Sequence, residues 1–272
     1  MPELPEVETI ARGLAGRVSG ERIESVWLGP KKEPLKSPPE EIISVLERSK
    51  IAGVRRVGKH IVVDLESGAD GKRPAQWIVH LGMTGRVLVC DAQEPVAAHT
   101  HAVVTLASGR EIRFVDPRRF GRLSVASSGR FAAAGDEPLT IGLDPFVELF
   151  QGRKTPIKSA LLNQSLLSGV GNIYADEALY RAGIRPRRRA SAVTRRELAK
   201  LHAALRKVLG EAIKLGGSSV SDYVDADGQE GFFQLRHRVY GREGEPCRRC
   251  KTLIRRIVIA GRSSHYCSRC QK

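Results

Sequence analysis

The chain has 272 residues, 41% of them hydrophobic, and a formal net charge of +15. That length suits two ordinary domains with real cores, and the lack of any long apolar run argues against a membrane span or a secretory leader. The charge is uneven. Residues 1–150 hold 20 basic and 20 acidic side chains, whereas residues 181–272 hold 22 basic and 8 acidic, which makes a polyanion the expected partner of the second half.

The opening, Met-Pro-Glu-Leu-Pro-Glu, reads as a helix start. Pro5 suits a first turn, and Val7, Ile10, Leu14 and Val18 follow at helical spacing. Glu6 and Glu8 complement the positive end of the helix dipole. If Met1 is removed, Pro2 becomes a secondary amine able to attack an aldehyde-like carbon, with Glu3 beside it to move protons. Taken alone, the same residues simply begin a helix.

Residues 22–29 alternate like a strand, and Pro38-Pro39-Glu40 opens a short helix. Further period-two runs cover 51–57, 59–66, 76–81, 86–90, 101–107, 110–115 and 121–126. They predict a largely antiparallel β-sandwich or barrel. Lys59 begins one of these strands after Arg55-Arg56. Met83 lies in His80-Leu-Gly-Met-Thr-Gly-Arg86, and Arg118 and Phe120 lie in Asp116-Pro-Arg-Arg-Phe-Gly121. Both segments read as glycine-bounded turns, and an exposed apolar tip beside an arginine is what a DNA-kinking protein inserts into a base stack. The alternative is a Met and a Phe folded back into the core. Cys90, in Val87-Leu-Val-Cys-Asp91, reads as a buried core residue.

Around 129–145 the pattern breaks into Gly, Asp and Pro, which places a linker there. Helices are expected over 145–151, 156–166, 173–182 and 194–215, the last with a capping box at Thr194-Arg-Arg-Glu197 and a Gly216-Gly217 stop. Ser168-Gly-Val-Gly-Asn172 joins two of them and suits phosphate contact through backbone N–H groups and the Asn172 amide, with Lys154 and Lys158 upstream. Residues 218–234 read as a polar, mobile loop. Cys247-Arg-Arg-Cys250 and Cys267-Ser-Arg-Cys270, 16 residues apart, suit one tetrahedral, structural zinc on a two-hairpin ribbon, with Arg262 after Gly261 at a hairpin tip. The domains expected are 1–130, a linker at 131–145, a helical domain at 146–240 and a zinc ribbon at 241–272.

Five segments in this order resemble the formamidopyrimidine-DNA glycosylase family over essentially the whole chain: residues 1–8, His80-Leu-Gly-Met-Thr-Gly85, Asp116-Pro-Arg-Arg-Phe-Gly121, residues 169–177 and the four-cysteine ribbon. The resemblance implies an α+β protein: an N-terminal antiparallel β-sandwich with flanking helices, a helix–two-turn–helix domain and a zinc ribbon, with DNA in the cleft. It implies excision of oxidised purines such as 8-oxoguanine and formamidopyrimidines, then β,δ-elimination at the abasic site. The carried-over roles are Pro2 as nucleophile, Glu3 in proton transfer, and Lys59 at the lesion or its phosphate. Met83, Arg118 and Phe120 fill the gap left by the flipped base. His99, Arg118, Lys154, Asn172 and Arg262 contact DNA, Arg262 close enough to count with the catalytic set. The four cysteines bind Zn2+. A cytoplasmic, nucleoid-associated bacterial monomer acting on double-stranded DNA is implied. Within 218–234, Asp227-Gly-Gln-Glu-Gly231 departs from a family segment that more often has Lys-Pro before the last glycine. Two rivals stay open: the endonuclease VIII type, which removes oxidised pyrimidines and usually has Gly where this chain has Leu4, and a non-catalytic zinc-ribbon DNA-binding protein, which gives Pro2-Glu3 no role.

Overall fold

The computed structural model describes residues 1–66, 74–127, 130–220 and 223–272. The chain forms two compact units, one of residues 1–132 and 216–231, the other of residues 133–215 and 232–272. Residues 216–231 thus pack with the first unit, inside the 146–240 stretch that the sequence assigned to the helical domain.

The first unit opens with helix α1 (Leu4–Val18), whose Leu4, Val7, Ile10, Ala11, Leu14 and Val18 are all buried. Strand β1 (Ile23–Leu28) and helix α2 (Pro39–Leu46) follow. Seven more strands come next: β2 (Lys50–Val57), β3 (His60–Glu66), β4 (Ala75–His80), β5 (Arg86–Asp91), β6 (Thr100–Leu106), β7 (Arg110–Val115) and β8 (Arg122–Ala126). They form two antiparallel four-stranded sheets, ordered β1-β6-β7-β5 and β2-β3-β4-β8. One core joins both sheets and α1: Ile61, Val63 and Trp77 from one sheet, Val104, Ile112 and Phe114 from the other, Ile10 and Leu14 from the helix. Inward residues recur every second position because a strand's side chains alternate between faces, so the sandwich expected from sequence is the fold observed. The β2–β3 hairpin turns on two residues, Gly58 and Lys59, since Val57 pairs with His60. Gly58 has φ 59°, which a residue with Cβ adopts at a cost. Cys90 on β5 is half-buried, not fully enclosed, because it sits on the alternate position to buried Val89.

The second unit contains helices α3 (Leu143–Glu148), α4 (Ile157–Leu161), α5 (Asn172–Ala182) and α6 (Arg195–Lys214), then hairpin β9 (Ile254–Ile259) and β10 (Arg262–Cys267). The capping box at the start of α6 is formed: Thr194 Oγ1 accepts the Glu197 N–H while the Glu197 carboxylate accepts the Thr194 N–H. Helix α4 is shorter than the expected 156–166. Asn163 ends it, its side-chain oxygen accepting the Ser165 N–H and hydroxyl and so competing with the helical ladder.

Candidate functional site

The N-terminal site is built on the mouth of α1. Pro2 and Glu3 are buried, and Met1 is exposed. Glu3 is the N-cap: its carboxylate accepts the Glu6 backbone N–H, and Glu6 returns the bond by accepting the Glu3 N–H at 2.8 Å. This reciprocal pair satisfies two of the helix's orphan donors and fixes the chain direction at Pro2. Sequence reading treated Glu6 only as a dipole partner. Its second oxygen also accepts the Ser218 N–H at 2.8 Å, and the Tyr223 hydroxyl donates to the Gly216 carbonyl at 3.0 Å. Gly217 (φ 83°) could not carry a Cβ, which would lie 2.9 Å from a Glu6 carboxylate oxygen. The 216–231 segment is therefore laced to the residues beside Pro2, and it is also held to the sandwich by an Arg17–Asp227 ion pair and by the Val89 N–H to the Ala226 carbonyl. Only the three-residue spacing of Glu3 and Glu6 announces this in the sequence; the contacts 212 residues away do not. Residues 221–222, within the loop read as mobile, lie outside the described residues.

One turn further along α1, Glu8 takes hydrogen bonds from Arg56 and Arg12, at 2.8 and 2.7 Å. Burial pushes its carboxyl upward, but these two arginines outweigh it and hold Glu8 below the usual range. The pair ties α1 to β2, which leads to half-buried Lys59 at the hairpin tip. Next to Lys59, His60 and His80 face each other across β3 and β4 with rings 4.8 Å apart. Burial, then the neighbouring His60, Arg122 and Lys59, lowers His80 to about 4, so its imidazole is neutral at cellular pH, and burial lowers His60 as well.

Met83 and Phe120 sit on two loops that touch. A Cβ at Gly82 would lie 2.4 Å from the Phe120 carbonyl carbon, so only glycine lets the backbones meet there. Buried Asp116 joins the loops, accepting the Thr84 hydroxyl at 2.6 Å, the Gly121 N–H at 2.7 Å and the Arg118 N–H at 3.2 Å. Met83 is 40% exposed and Phe120 54%. Neither is folded back into the core, and the Arg118 guanidinium stacks over the Phe120 ring at 4.9 Å. Exposed His99, with φ 64°, precedes β6, and its carbonyl accepts the Asp116 N–H. In the sequence Asp116 is only the first residue of a turn, and nothing there marks it as the organiser of this pair.

In the second unit, Asn172 starts α5 and donates from its amide to Ser263 Oγ at 3.3 Å. Arg262 leaves the hairpin tip exposed after Ala260 (φ 47°) and Gly261 (φ 74°), a left-handed pair that suits a two-residue turn. Lys154 is exposed. Lys158 is not available to a phosphate. It is wholly buried, paired with Asp176 at 2.6 Å and donating to the Ser263 carbonyl at 2.6 Å, while Asp176 also accepts the His265 N–H at 2.8 Å. This buried ion pair is compensated by hydrogen bonds on both sides, and it pins the hairpin that carries Arg262 to α4 and α5.

The four cysteine sulfurs lie within 4.8 Å of one another, with Cys247–Cys270 at 3.9 Å and Cys250–Cys267 at 3.4 Å. Four thiolates around tetrahedral zinc at about 2.3 Å would stand about 3.8 Å apart, so the arrangement fits one zinc ion. The Arg249 and Cys270 N–H groups each point at a sulfur, at 3.4 Å, and all four positions are protein ligands, which makes the site structural.

Models of three domain families match the chain: the formamidopyrimidine-DNA glycosylase N-terminal domain over residues 1–123, the H2TH domain of that enzyme over 135–224, and a zinc finger found in FPG and IleRS over 244–272. A formamidopyrimidine-DNA glycosylase of Solibacter usitatus is 46% identical over the full length of both chains, and that of Bacillus subtilis 39% identical over all of this chain and 99% of its own. The crystal structure of the MutM (Fpg) protein of Thermus thermophilus, 41% identical, superposes with a TM-score of 0.87 over 99% of this chain and 98% of that one. A Lactococcus lactis Fpg variant in complex with Fapy-dG-containing DNA is 32% identical, with a TM-score of 0.90 over the whole of both chains. With matched models along most of its length and such relatives end to end, this chain belongs to the formamidopyrimidine-DNA glycosylase family.

Proposed function

We propose that the protein removes oxidised purines from double-stranded DNA and then cuts the strand at the abasic site, with Pro2 as the nucleophile. The observation that carries this reading is the Pro2-Glu3 start held buried by the Glu3–Glu6 capping box, with Glu6 also bonded to the 216–231 segment. A DNA-binding ribbon without chemistry has no use for such a terminus. Solved relatives support the substrate class: Lactococcus lactis Fpg with Fapy-dG and abasic-site DNA, and MutM with carbocyclic 8-oxo-G DNA.

The steps follow from the chemistry of a secondary amine. The damaged nucleotide leaves the stack at a cost of a few kcal/mol, less for a weakened pair. The Pro2 nitrogen bonds to C1′ as the base departs with the bonding electrons. Glu3 moves the accompanying protons. The sugar opens to a charged iminium, an electron sink that makes the C2′ proton acidic. Loss of that proton expels the 3′ phosphate, and a second elimination expels the 5′ phosphate. Lys59 faces the lesion or its phosphate. Met83, Phe120 and Arg118 fill the vacated space. His99, Lys154, Asn172 and Arg262 hold phosphates, Arg262 nearest the reacting nucleotide. The zinc, held by Cys247, Cys250, Cys267 and Cys270, folds the ribbon and takes no part in the reaction. The enzyme acts as a monomer in the cytoplasm, on nucleoid DNA, with 1–130 and the returning 216–231 segment as catalytic unit, the rest of 146–240 as helical DNA-binding domain and 241–272 as ribbon.

Borohydride trapping tests the reading. A covalent adduct should form on a duplex containing 8-oxoguanine, and faster than on one containing an oxidised pyrimidine. The reverse preference would move the protein to the endonuclease VIII type, and no adduct on either would leave a DNA-binding protein.

A further inference from the structure

A pocket in the second unit lies beside the cysteine site and shares with it only Arg249 among the residues used above. Its lining includes Tyr180 and Arg181 at the end of α5, Lys207 and Glu211 on α6, and Arg238, Arg248 and Arg249. Asn172 stands eight residues back along α5, which at about 1.5 Å per residue puts it about 12 Å away. Five of the lining side chains are cations and one is an anion. Two of the cations are already held in place. Arg181 is paired with Glu211 at 2.8 Å, and the Arg249 guanidinium lies 5.3 Å from the centre of the Tyr180 ring. The Tyr180 hydroxyl is fixed in turn by Cys247 Sγ at 3.2 Å, so the platform under Arg249 is anchored to the metal ligands. Lys207 and Arg238 are exposed. Like charges gathered in a concavity repel one another, and an anion relieves that repulsion.

We propose that this pocket binds a short chain of phosphates. Several guanidinium forks with a single lysine suit linked phosphate groups, because each fork offers two parallel N–H donors to one tetrahedral anion. A lone carboxylate would engage one arginine and leave the others unmatched. Held in advance by Glu211 and Tyr180, Arg181 and Arg249 lose little side-chain entropy on binding. The phosphates come either from a free oligophosphate, such as a nucleoside triphosphate, or from the backbone of a nucleic-acid single strand other than the duplex under repair.

The experiment is calorimetric titration of the full, zinc-loaded protein with inorganic tripolyphosphate, with and without a saturating duplex that carries an abasic-site analogue. Binding at one site should persist in both conditions. Lys207→Glu should weaken it at least about tenfold, the scale of exchanging a charge-assisted contact for a repelling one. Arg206→Glu, the same charge change one residue away, should alter it less than about twofold. Arg238→Ala is the second variant if Lys207→Glu lowers the melting temperature. Parallel titrations with a nucleoside triphosphate and with a four-nucleotide single strand tell the two sources apart by which binds more tightly. No binding, displacement by the duplex, or equal effects of Lys207→Glu and Arg206→Glu would overturn the proposal.

Discussion

At the scale of single residues, the proposed reaction turns on one nitrogen. While Met1 remains attached, the Pro2 nitrogen is a tertiary amide whose lone pair is delocalised into the carbonyl, and it cannot form an iminium. Protein that carries any N-terminal extension should bind DNA yet fail to cut abasic sites or to trap with borohydride. Mass spectrometry of the terminus beside each assay checks this, and full activity in protein that retains Met1 would send the search for a nucleophile to Lys59. Phe120 makes the opposite kind of prediction. More than half exposed, it contributes little to the core, so Phe120→Ala should change unfolding free energy by less than about 1 kcal/mol. It should slow excision from a paired lesion more than cleavage at a pre-formed abasic site, where no damaged base has to be unstacked. Urea unfolding and the ratio of the two rates decide it.

At the scale of elements, Asp116 and the cysteines do work that Phe120 does not. Replacing Asp116 with Ala strands the buried Gly121 N–H and loosens both wedge loops at once, at a cost of about 1–3 kcal/mol for each orphaned group. Asp116→Ala should therefore lower both stability and base extrusion, where Phe120→Ala lowers only the second. The ribbon should contain one zinc per chain, and chelation or Cys250→Ala should unfold it and abolish DNA binding, because metal binding supplies the folding energy of so small a hairpin pair. Zinc analysis of active protein checks this directly. The elements themselves were legible where the period was clean: the β-strands, the α6 capping box and the Ala260-Gly261 hairpin tip all follow local rules. What failed was non-local. Lys158 reads as a solvated phosphate ligand because nothing nearby in the chain announces Asp176 or the Ser263 carbonyl. Glu6 reads as a dipole partner because Ser218 is 212 residues away. A buried charge is identified by its partner, and sequence alone does not say who that is.

At the scale of the whole molecule, acid should weaken the fold before it titrates most carboxylates. Burial holds His80 in the first unit and His237 in the second to about 4, against an unfolded value near 6.5. Between those limits the unfolded chain binds protons that the native one refuses, so stability is complete above about pH 6.5, falls as pH drops toward 4, and loses nothing more from these groups below that. Each imidazole contributes at most about 3 kcal/mol of the fall. Denaturant midpoints measured at pH 7, 5.5 and 4.5 should decline in that order, and His80→Gln should flatten part of the decline. A midpoint independent of pH across this window would show that the imidazoles are more accessible than their burial implies.

The chain's passage between its two units has a consequence for its synthesis. It leaves the first unit at Ala132, returns for Gly216–Gly231 and departs again. A ribosome that has made the sandwich and every strand pair within it has still not delivered Ser218 to Glu6 or Ala226 to Val89. The proposed nucleophile emerges first, yet its setting is completed only when more than four-fifths of the chain has been translated. Nascent or prematurely terminated chains that have lost Met1 thus carry the proposed Pro2 nucleophile without the segment that braces it. A translation product released before residue 231 should be a poor lyase even though its sheets are whole.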